Sequence, residues 1–266
     1  MKPGLFIMAV LLGAFLGAEG IVSLSPDITE VLLDLGLGNS ITATVIQDPY
    51  PAGIKAGNFN APDIERIVKL KPDIVYLTPV SQARTAAALK SLGIRTEFIY
   101  ADSFEGLKGI YKKLGKEHGK GTEAGEAVRK IENFLAEFSG KPAKNLRALP
   151  VIWMDGKSVH SFGPGTFQGS ALALLGLKNT AGFLKKRYGI IPYEKVLKSP
   201  PDIILVFSED GERIKELILN DPVLSGLPAV KNGRVAVIRD FEPFFRASLK
   251  TPGFLKKLKD EIEKRD

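Results

Sequence analysis

The sequence predicts an α/β protein of two Rossmann-like lobes, each a mainly parallel sheet with flanking helices, with one long bridging α-helix and a cleft between the lobes. The first observation behind this prediction is a phrase that occurs twice, at 65–77 and at 194–206. In each copy an amphipathic helix ends at a proline, an aspartate follows, and an unbroken apolar run completes the phrase. Such a run is typical of a strand covered on both faces, and a helix leading into it is half of a parallel-sheet unit. Two such units predict two similar lobes.

The second observation is the alternation of strand and helix in the first half of the chain. After a buried strand at 21–24, Ser25, Pro26 and Asp27 suit the start of a helix, because proline is tolerated in the first turn and the helix dipole favours an acid there. This helix ends at Gly36. The chain then predicts strands at 41–46, 74–77 and 96–100, a loop at 47–51, a turn at 57–60 and a helix at 81–92. This order indicates an open parallel sheet.

The third observation is the longest helical pattern, at 122–139, whose apolar side chains share one face. We interpret it as the segment that joins the lobes, and a helical joint predicts only a small closure. The second lobe is predicted to contain a strand at 149–153, a helix at 170–175, a strand at 235–238 and a closing helix at 252–264. The predicted domains are a signal peptide at 1–18, an N-terminal lobe at 19–121, the interlobe helix at 122–140 and a C-terminal lobe at 141–266.

The N-terminal segment predicts export. A basic start at Met1 and Lys2, an apolar stretch at 5–16 and small residues at the boundary describe a secretory signal peptide, with cleavage expected after Ala18. The stretch is shorter than the roughly 20 residues that cross a bilayer. The chain has no cysteine, which excludes disulfides, thiolate metal sites and a catalytic thiol, and leaves no residue for a lipoprotein anchor. We therefore expect a periplasmic protein that is not lipid-anchored.

Composition and motifs argue against several other functions. The formal net charge is +7, but basic and acidic residues are interspersed, so nucleic-acid binding is not expected. No Gly-x-Ser-x-Gly or His-Glu-x-x-His motif is present, so the sequence does not predict a hydrolase that depends on either motif. The loop at 163–166 resembles a phosphate loop, but no Gly-Lys-Ser/Thr follows it. The sequence therefore does not predict an enzyme.

Several short motifs together resemble one family. They are Ile21 to Pro26 with Thr29 and Glu30, the Leu-Lys-Pro-Asp phrase that ends at Asp73, Gly163 to Phe167, Gly233 to Val235, and Arg246 to Ser248. In order and spacing they resemble the helix-backbone class of substrate-binding proteins, which serve ABC importers of cobalamin, heme and ferric siderophores. The likeness covers the whole chain after the signal peptide and is nearest to the cobalamin-binding members. The resemblance implies two lobes bridged by a helix, a ligand cleft between them and no catalysis.

The resemblance also gives the repeated phrase a function. In this class one surface glutamate on each lobe docks into arginine-lined pockets of a dimeric permease, and Glu65 and Glu194 match those positions. Two carboxylates related by a pseudo-twofold axis suit a symmetric partner. Asp73 and Asp202 are expected to be loop residues or strand-start residues instead. The chain is expected to act as a monomer with a permease dimer as its partner.

The ligand residues follow from the same resemblance. The positions that match the family's binding loops are Ser25, Pro26, Asp27, Tyr50, Phe59, Tyr188, Phe245 and Arg246. Aromatic walls with a few polar groups suit a flat or bulky organic ligand. Gln47 and Thr78 depart from the pattern, since the cobalamin-binding members have aromatic residues there. We expect a corrinoid first and heme or a ferric siderophore second, with no resident cofactor.

The two histidines leave alternatives open. His118 is expected to be exposed in a loop. His160 is expected either to reach the cleft, where it could bind heme iron, or to be a hydrogen-bonded loop residue. Two histidines and no cysteine argue against a site for a bare metal ion. The one enzyme alternative is a metallochelatase-like protein, which would need His160 as a base.

Overall fold

The computed structural model describes residues 20–51, 53–138 and 145–265. The predicted signal peptide lies outside these residues. Among the described residues, no helix is both long and apolar enough to span a membrane.

The N-terminal lobe contains a five-stranded parallel sheet with strand order β3-β2-β1-β6-β7. A small antiparallel hairpin, β4 and β5, stands apart from it. The strands are β1 (Ile21–Ser23), β2 (Ile41–Thr44), β3 (Ile54–Lys55), β4 (Gly57–Asn58), β5 (Ala61–Pro62), β6 (Ile74–Leu77) and β7 (Thr96–Phe98). The helices are α1 (Pro26–Asp34), α2 (Ile64–Leu70), α3 (Ala83–Ser91) and α4 (Phe104–Glu117), followed by the bridging helix α5 (Gly121–Phe138).

The C-terminal lobe contains a four-stranded parallel sheet with strand order β11-β8-β13-β14. Its strands are β8 (Arg147–Val151), β9 (Trp153–Met154), β10 (Ser158–Phe162), β11 (Lys178–Asn179), β12 (Tyr188–Pro192), β13 (Ile203–Val206) and β14 (Val235–Val237). Its helices are α6 (Phe167–Leu174), α7 (Tyr193–Lys198), α8 (Gly211–Asn220), α9 (Pro228–Lys231), α10 (Glu242–Phe245) and α11 (Thr251–Glu263). A second, antiparallel sheet β12-β10-β9 was not predicted, because its short strands lack the unbroken apolar run of a parallel core strand.

The repeated phrase has the same structure in both lobes. In each copy a short helix leads into a central strand, α2 into β6 and α7 into β13. Asp73 accepts a hydrogen bond from the backbone N–H of Gly20 (2.7 Å), and Asp202 accepts one from that of Arg147 (2.9 Å). The backbones of both pairs also bond in the reverse direction, at 2.9 and 2.7 Å. Each aspartate therefore stands immediately before its own strand and ties it to the start of the lobe's first strand.

The bridging helix is buried on the predicted face, where Ala127, Ile131 and Phe134 are at most 4% exposed. It packs along α4, and Phe104 of α4 joins the lobes because its ring lies 5.7 Å from Phe134 and 4.8 Å from Phe167 of the C-terminal lobe. One hydrophobic cluster contains residues of both lobes. The two-lobed α/β fold with a bridging helix is thus confirmed.

Candidate ligand-binding cleft

A cleft of about 410 Å³ lies between the lobes. It brings together seven of the predicted ligand residues: Ser25, Pro26, Asp27, Phe59, Tyr188, Phe245 and Arg246. It is also lined by Asn60, Thr78, Val80, Ser81, Tyr100, Ala101, Phe167, Gln168 and Ala247. A volume of this size lies within the range of small-molecule sites, about 300–1,000 Å³.

The aromatic wall of the N-terminal lobe is held by one buried glutamine. Gln82 is 1% exposed, and its amide group donates hydrogen bonds to the carbonyls of Leu24 and Phe59, each at 2.7 Å. Its Oε1 accepts a bond from the backbone N–H of Thr78 at 3.0 Å. Three loops that line the cleft therefore meet on a single side chain.

The C-terminal lobe also has a buried glutamine that bonds to residues of the cleft. Gln168 is 3% exposed and donates to the carbonyl of Phe244 at 3.0 Å. The hydroxyl of Tyr188 donates to Gln168 Oε1 at 3.1 Å. Burial raises the pKa of Tyr188 well above its ordinary value, so this hydroxyl remains protonated and is a hydrogen-bond donor. Each lobe thus anchors one cleft aromatic residue through a buried glutamine, Phe59 by its backbone carbonyl and Tyr188 by its hydroxyl.

The start of α1 forms the floor between these walls. Ser25 is extended at the N-cap and Pro26 occupies the first turn, as the sequence predicts. The Ser25 hydroxyl donates a short hydrogen bond to the Asp27 carboxylate. Burial nevertheless raises the pKa of Asp27 above its ordinary value, since desolvation outweighs that bond.

Tyr100 closes one side of the cleft. Its hydroxyl donates to the carbonyl of Gly165 in the opposite lobe at 3.4 Å. The guanidinium of Arg187, also in the C-terminal lobe, lies 4.6 Å from the centre of the Tyr100 ring. Burial raises the pKa of Tyr100, and the nearby Arg187 charge only partly opposes this effect.

Tyr100, Asn60, Val80, Ser81 and Gln168 were not predicted as ligand residues. A sequence signal existed for part of this set, because Tyr100 ends one predicted parallel strand and the loop that begins at Thr78 follows another. Ligands of open parallel sheets bind beyond the carboxyl ends of the strands. No comparable signal marks Gln168, whose position depends on contacts with distant residues.

Three other predicted placements differ from the structure. Tyr50 does not line the cleft, because its hydroxyl donates to the carbonyl of Gly38 at 3.1 Å and its ring packs against the main core. His160 lies on β10 with its ring 4.8 Å from that of Trp153, outside the cleft lining. His118 is half-buried, not exposed, since its Nε2 is 2.7 Å from the Tyr76 hydroxyl.

The repeated glutamates occupy equivalent positions. Glu65 and Glu194 are the second residues of α2 and α7, and both side chains are exposed. Each stands six positions after a cleft aromatic residue, Phe59 or Tyr188. Glu194 pairs with Lys198 at 2.5 Å, and this contact lowers the pKa of the Glu194 carboxyl.

Within the described part of the chain, no group of three or more histidine, cysteine, aspartate or glutamate residues could hold a metal ion.

Two α/β lobes joined by a helix, with a cleft between them, define a bilobal binding protein. A family model described as "Periplasmic binding protein" matches residues 21–240, and the chain belongs to that family.

Two sequence relatives illustrate the range of the family. The ABC transporter substrate-binding lipoprotein YvrC of Bacillus subtilis is 28% identical over 228 residues, which cover 81% of this chain and 71% of the relative. A vitamin B12-binding protein of Vibrio cholerae is 26% identical over 208 residues, which cover 75% of this chain and 74% of the relative.

Solved structures share the fold. The periplasmic vitamin B12-binding protein BtuF of Vibrio cholerae has a TM-score of 0.79 at 20% identity, with 93% of this chain and 98% of that chain covered. The periplasmic heme-binding protein HutB of the same organism has a TM-score of 0.76 at 19% identity, with 92% and 99% covered. At these identities the likeness concerns the fold alone.

Proposed function

We propose that this protein is the substrate-binding component of an ABC importer, and that it captures a corrinoid between its lobes and delivers it to the permease. The observation that carries the proposal is the cleft itself, in which Phe59 and Tyr188 come from opposite lobes. Two aromatic groups with a few polar neighbours suit a bulky ring system. The relative that binds vitamin B12 supports the same ligand class.

Heme or another iron chelate is the second candidate. The hydroxyls of Tyr100 and Tyr188 belong to cleft-lining residues, and a tyrosine oxygen can bind ferric iron. Burial raises the pKa of both groups, however, which opposes the phenolate form that such a bond requires. We therefore rank the corrinoid first. A metallochelatase is disfavoured, because its expected base, His160, does not line the cleft.

Delivery is proposed to use Glu65 and Glu194. Both carboxylates are exposed on equivalent helices, so a monomer of this protein can present two similar charges to a symmetric permease dimer. The lobes should close only slightly on the ligand, because α5 and the core that continues through both lobes form a stiff joint. Asp34 of α1 also accepts a bond from the backbone of Leu249 in the other lobe, at 3.2 Å.

The proposed location is outside the cytoplasmic membrane, in the periplasm. The apolar segment that begins the chain and the family both support this placement. The relative YvrC is a lipoprotein, whereas this chain has no cysteine, so we propose that it is not anchored through a lipidated cysteine.

Ligand capture can be tested by a visible-absorption titration of the purified protein with cyanocobalamin, hemin and ferric citrate, each followed by desalting. Retention of the corrinoid with little spectral change is expected. A retained heme with a shifted Soret band would favour the second candidate, and loss of every chelate would contradict the proposal.

Docking needs a separate test. The double substitution Glu65→Lys and Glu194→Lys should abolish cellular uptake of the ligand while leaving its affinity for the purified protein unchanged. Uptake at the wild-type rate would refute the docking role.

A further inference from the structure

We propose that one surface of the C-terminal lobe binds the anionic headgroups of a lipid membrane. This surface, the basic face, consists of one exposed aromatic ring and four exposed lysines on α7 and on the loop before β12: Phe183, Lys185, Lys186, Lys195 and Lys198. None of these five residues lines the cleft. The inference therefore goes beyond the proposed capture of a chelate and concerns a different part of the molecule.

The net charge of the chain is concentrated around this face. Residues 156–201 contain seven lysines and arginines and a single acid, Glu194, so they carry a formal charge of +6 out of +7 for the whole chain. The equivalent segment of the N-terminal lobe, 27–72 by the offset of the repeated phrase, contains four basic and six acidic residues. Because the two lobes share the same helix–strand unit, the fold alone does not require the basic excess.

The basic face is assembled from two neighbouring elements. Lys195 Nζ lies 5.9 Å from the centre of the Phe183 ring, so the first turn of α7 lies beside the loop. Lys198 follows Lys195 by three positions on the same helix, and residues three apart are neighbours on a helix surface. Lys185 and Lys186 follow Phe183 by two and three positions, which keeps their Cα atoms within about 11 Å of it. Four lysines therefore lie near one exposed ring.

Most of these lysines have no close counter-ion. Among the described residues, no carboxylate lies within 4.0 Å of the ammonium group of Lys185, Lys186 or Lys195. Lys198 pairs with Glu194, but both side chains of this pair are well exposed, at 66% and 71%. An exposed pair of this kind holds its partners weakly. The basic face therefore has several positive charges that an external anionic surface can attract.

Lipid headgroups match both the charge and the aromatic ring of this face. An anionic bilayer attracts a cluster of lysines within a Debye length, and each lysine strengthens binding roughly fivefold. Aromatic rings are favoured at the headgroup level of a membrane, and Phe183 is 47% exposed. Lysine side chains can lay their apolar stems along such a surface while the ammonium group reaches the phosphates.

Glu194 orients the basic face. It is the second residue of α7, and the proposed docking brings that helix to the permease, which is embedded in the membrane. A pocket that accepts the Glu194 carboxylate is positively charged and repels lysines, so the lysines need a different, negatively charged surface. This orientation rests on the proposed function, whereas the lipid contact itself does not.

The experiment measures co-sedimentation of the purified protein with vesicles, in the absence of permease and chelate. One set of vesicles is phosphatidylcholine alone, and the other is an equal mixture of phosphatidylcholine and phosphatidylglycerol. The wild type should bind only the anionic set, and more weakly as the salt concentration rises. The double substitution Lys185→Gln and Lys186→Gln should weaken this binding about 25-fold. Phe183→Ala should weaken it about 5- to 10-fold, because the ring no longer enters the headgroup layer.

The matched control is the double substitution Lys69→Gln and Lys90→Gln. Both lysines are exposed in the last turns of α2 and α3, so the control removes the same charge from the other lobe. It should change vesicle affinity less than about threefold, since these charges lie outside the basic face. Urea unfolding of all the variants should match the wild type, because every substituted side chain is exposed.

The outcomes separate this inference from the proposed function. Equal binding of the wild type to both vesicle sets, binding to neither, or equal losses for the two double variants would overturn the lipid contact. Loss of vesicle binding in phosphate buffer, but not in chloride of equal ionic strength, would also overturn it, because the face would then recognise free phosphate. If the anionic vesicles bind and no chelate does, the membrane contact stands and the capture function fails.

Discussion

Replacing Gln82 by leucine should lower the free energy of unfolding more than the same substitution at an exposed glutamine. Gln82 makes three hydrogen bonds, at 2.7, 2.7 and 3.0 Å, and is 1% exposed. A net contribution of about 1 kcal/mol per bond, together with the cost of leaving the buried Leu24 carbonyl and Thr78 N–H unpaired, gives a loss of about 2–4 kcal/mol. Leucine fills most of the space, so the cavity contribution is small.

Urea unfolding followed by far-UV circular dichroism measures this loss. The matched control is Gln47→Leu, because Gln47 also binds the Phe59 loop, through Phe59 N–H at 2.9 Å and Asn58 at 3.1 Å, but is exposed. Water can replace those bonds, so the control should change the free energy of unfolding by less than about 0.5 kcal/mol. Equal losses for the two variants would refute the argument that burial makes the Gln82 bonds important.

Four further substitutions probe other parts of the molecule. Asp202→Asn should lower the free energy of unfolding by about 1 kcal/mol at neutral pH, because an arginine hydrogen bond holds the pKa of the Asp202 carboxyl below its ordinary value. That stabilisation is present above the unfolded-state pKa and is lost as the pH falls through the folded-state pKa, so urea curves of variant and wild type should converge in acid. Phe59→Ala and Tyr188→Ala should each weaken chelate binding in titrations by about 0.5–1.5 kcal/mol from lost ring stacking. Gly115→Ala should cost about 1–3 kcal/mol in urea unfolding, because an added Cβ would lie 2.4 Å from a side chain of α5.

Each of these substitutions has a control or a contradicting result. Divergence of the Asp202→Asn and wild-type curves in acid would contradict the assigned ion pair. Phe183→Ala, at an exposed ring outside the cleft, should leave chelate affinity unchanged. Gly125→Ala, where an added Cβ meets nothing within 4 Å, should be neutral or stabilising because alanine favours a helix. A loss equal to that of Gly115→Ala would show that the close approach of α4 and α5 is not the cause.

Much of the fold could be predicted because its signals are local. The unbroken apolar runs of β6 and β13 indicate buried parallel strands, and the one-sided apolar pattern predicts α5 almost to its ends. The antiparallel strands β9, β10 and β12 were not predicted, because their residues do not form the unbroken apolar run that marks a buried parallel strand.

The sequence by itself determined the two lobes, the helix between them and the equivalent positions of Glu65 and Glu194, since these depend on periodicity and repetition along the chain. Only the tertiary structure decided which loop side chains line the cleft. Tyr50 turns to Gly38 and the core, whereas Tyr100 reaches Gly165, 65 positions away. The physical reason is that a loop side chain takes its direction from partners that folding brings close, and no local pattern records those partners.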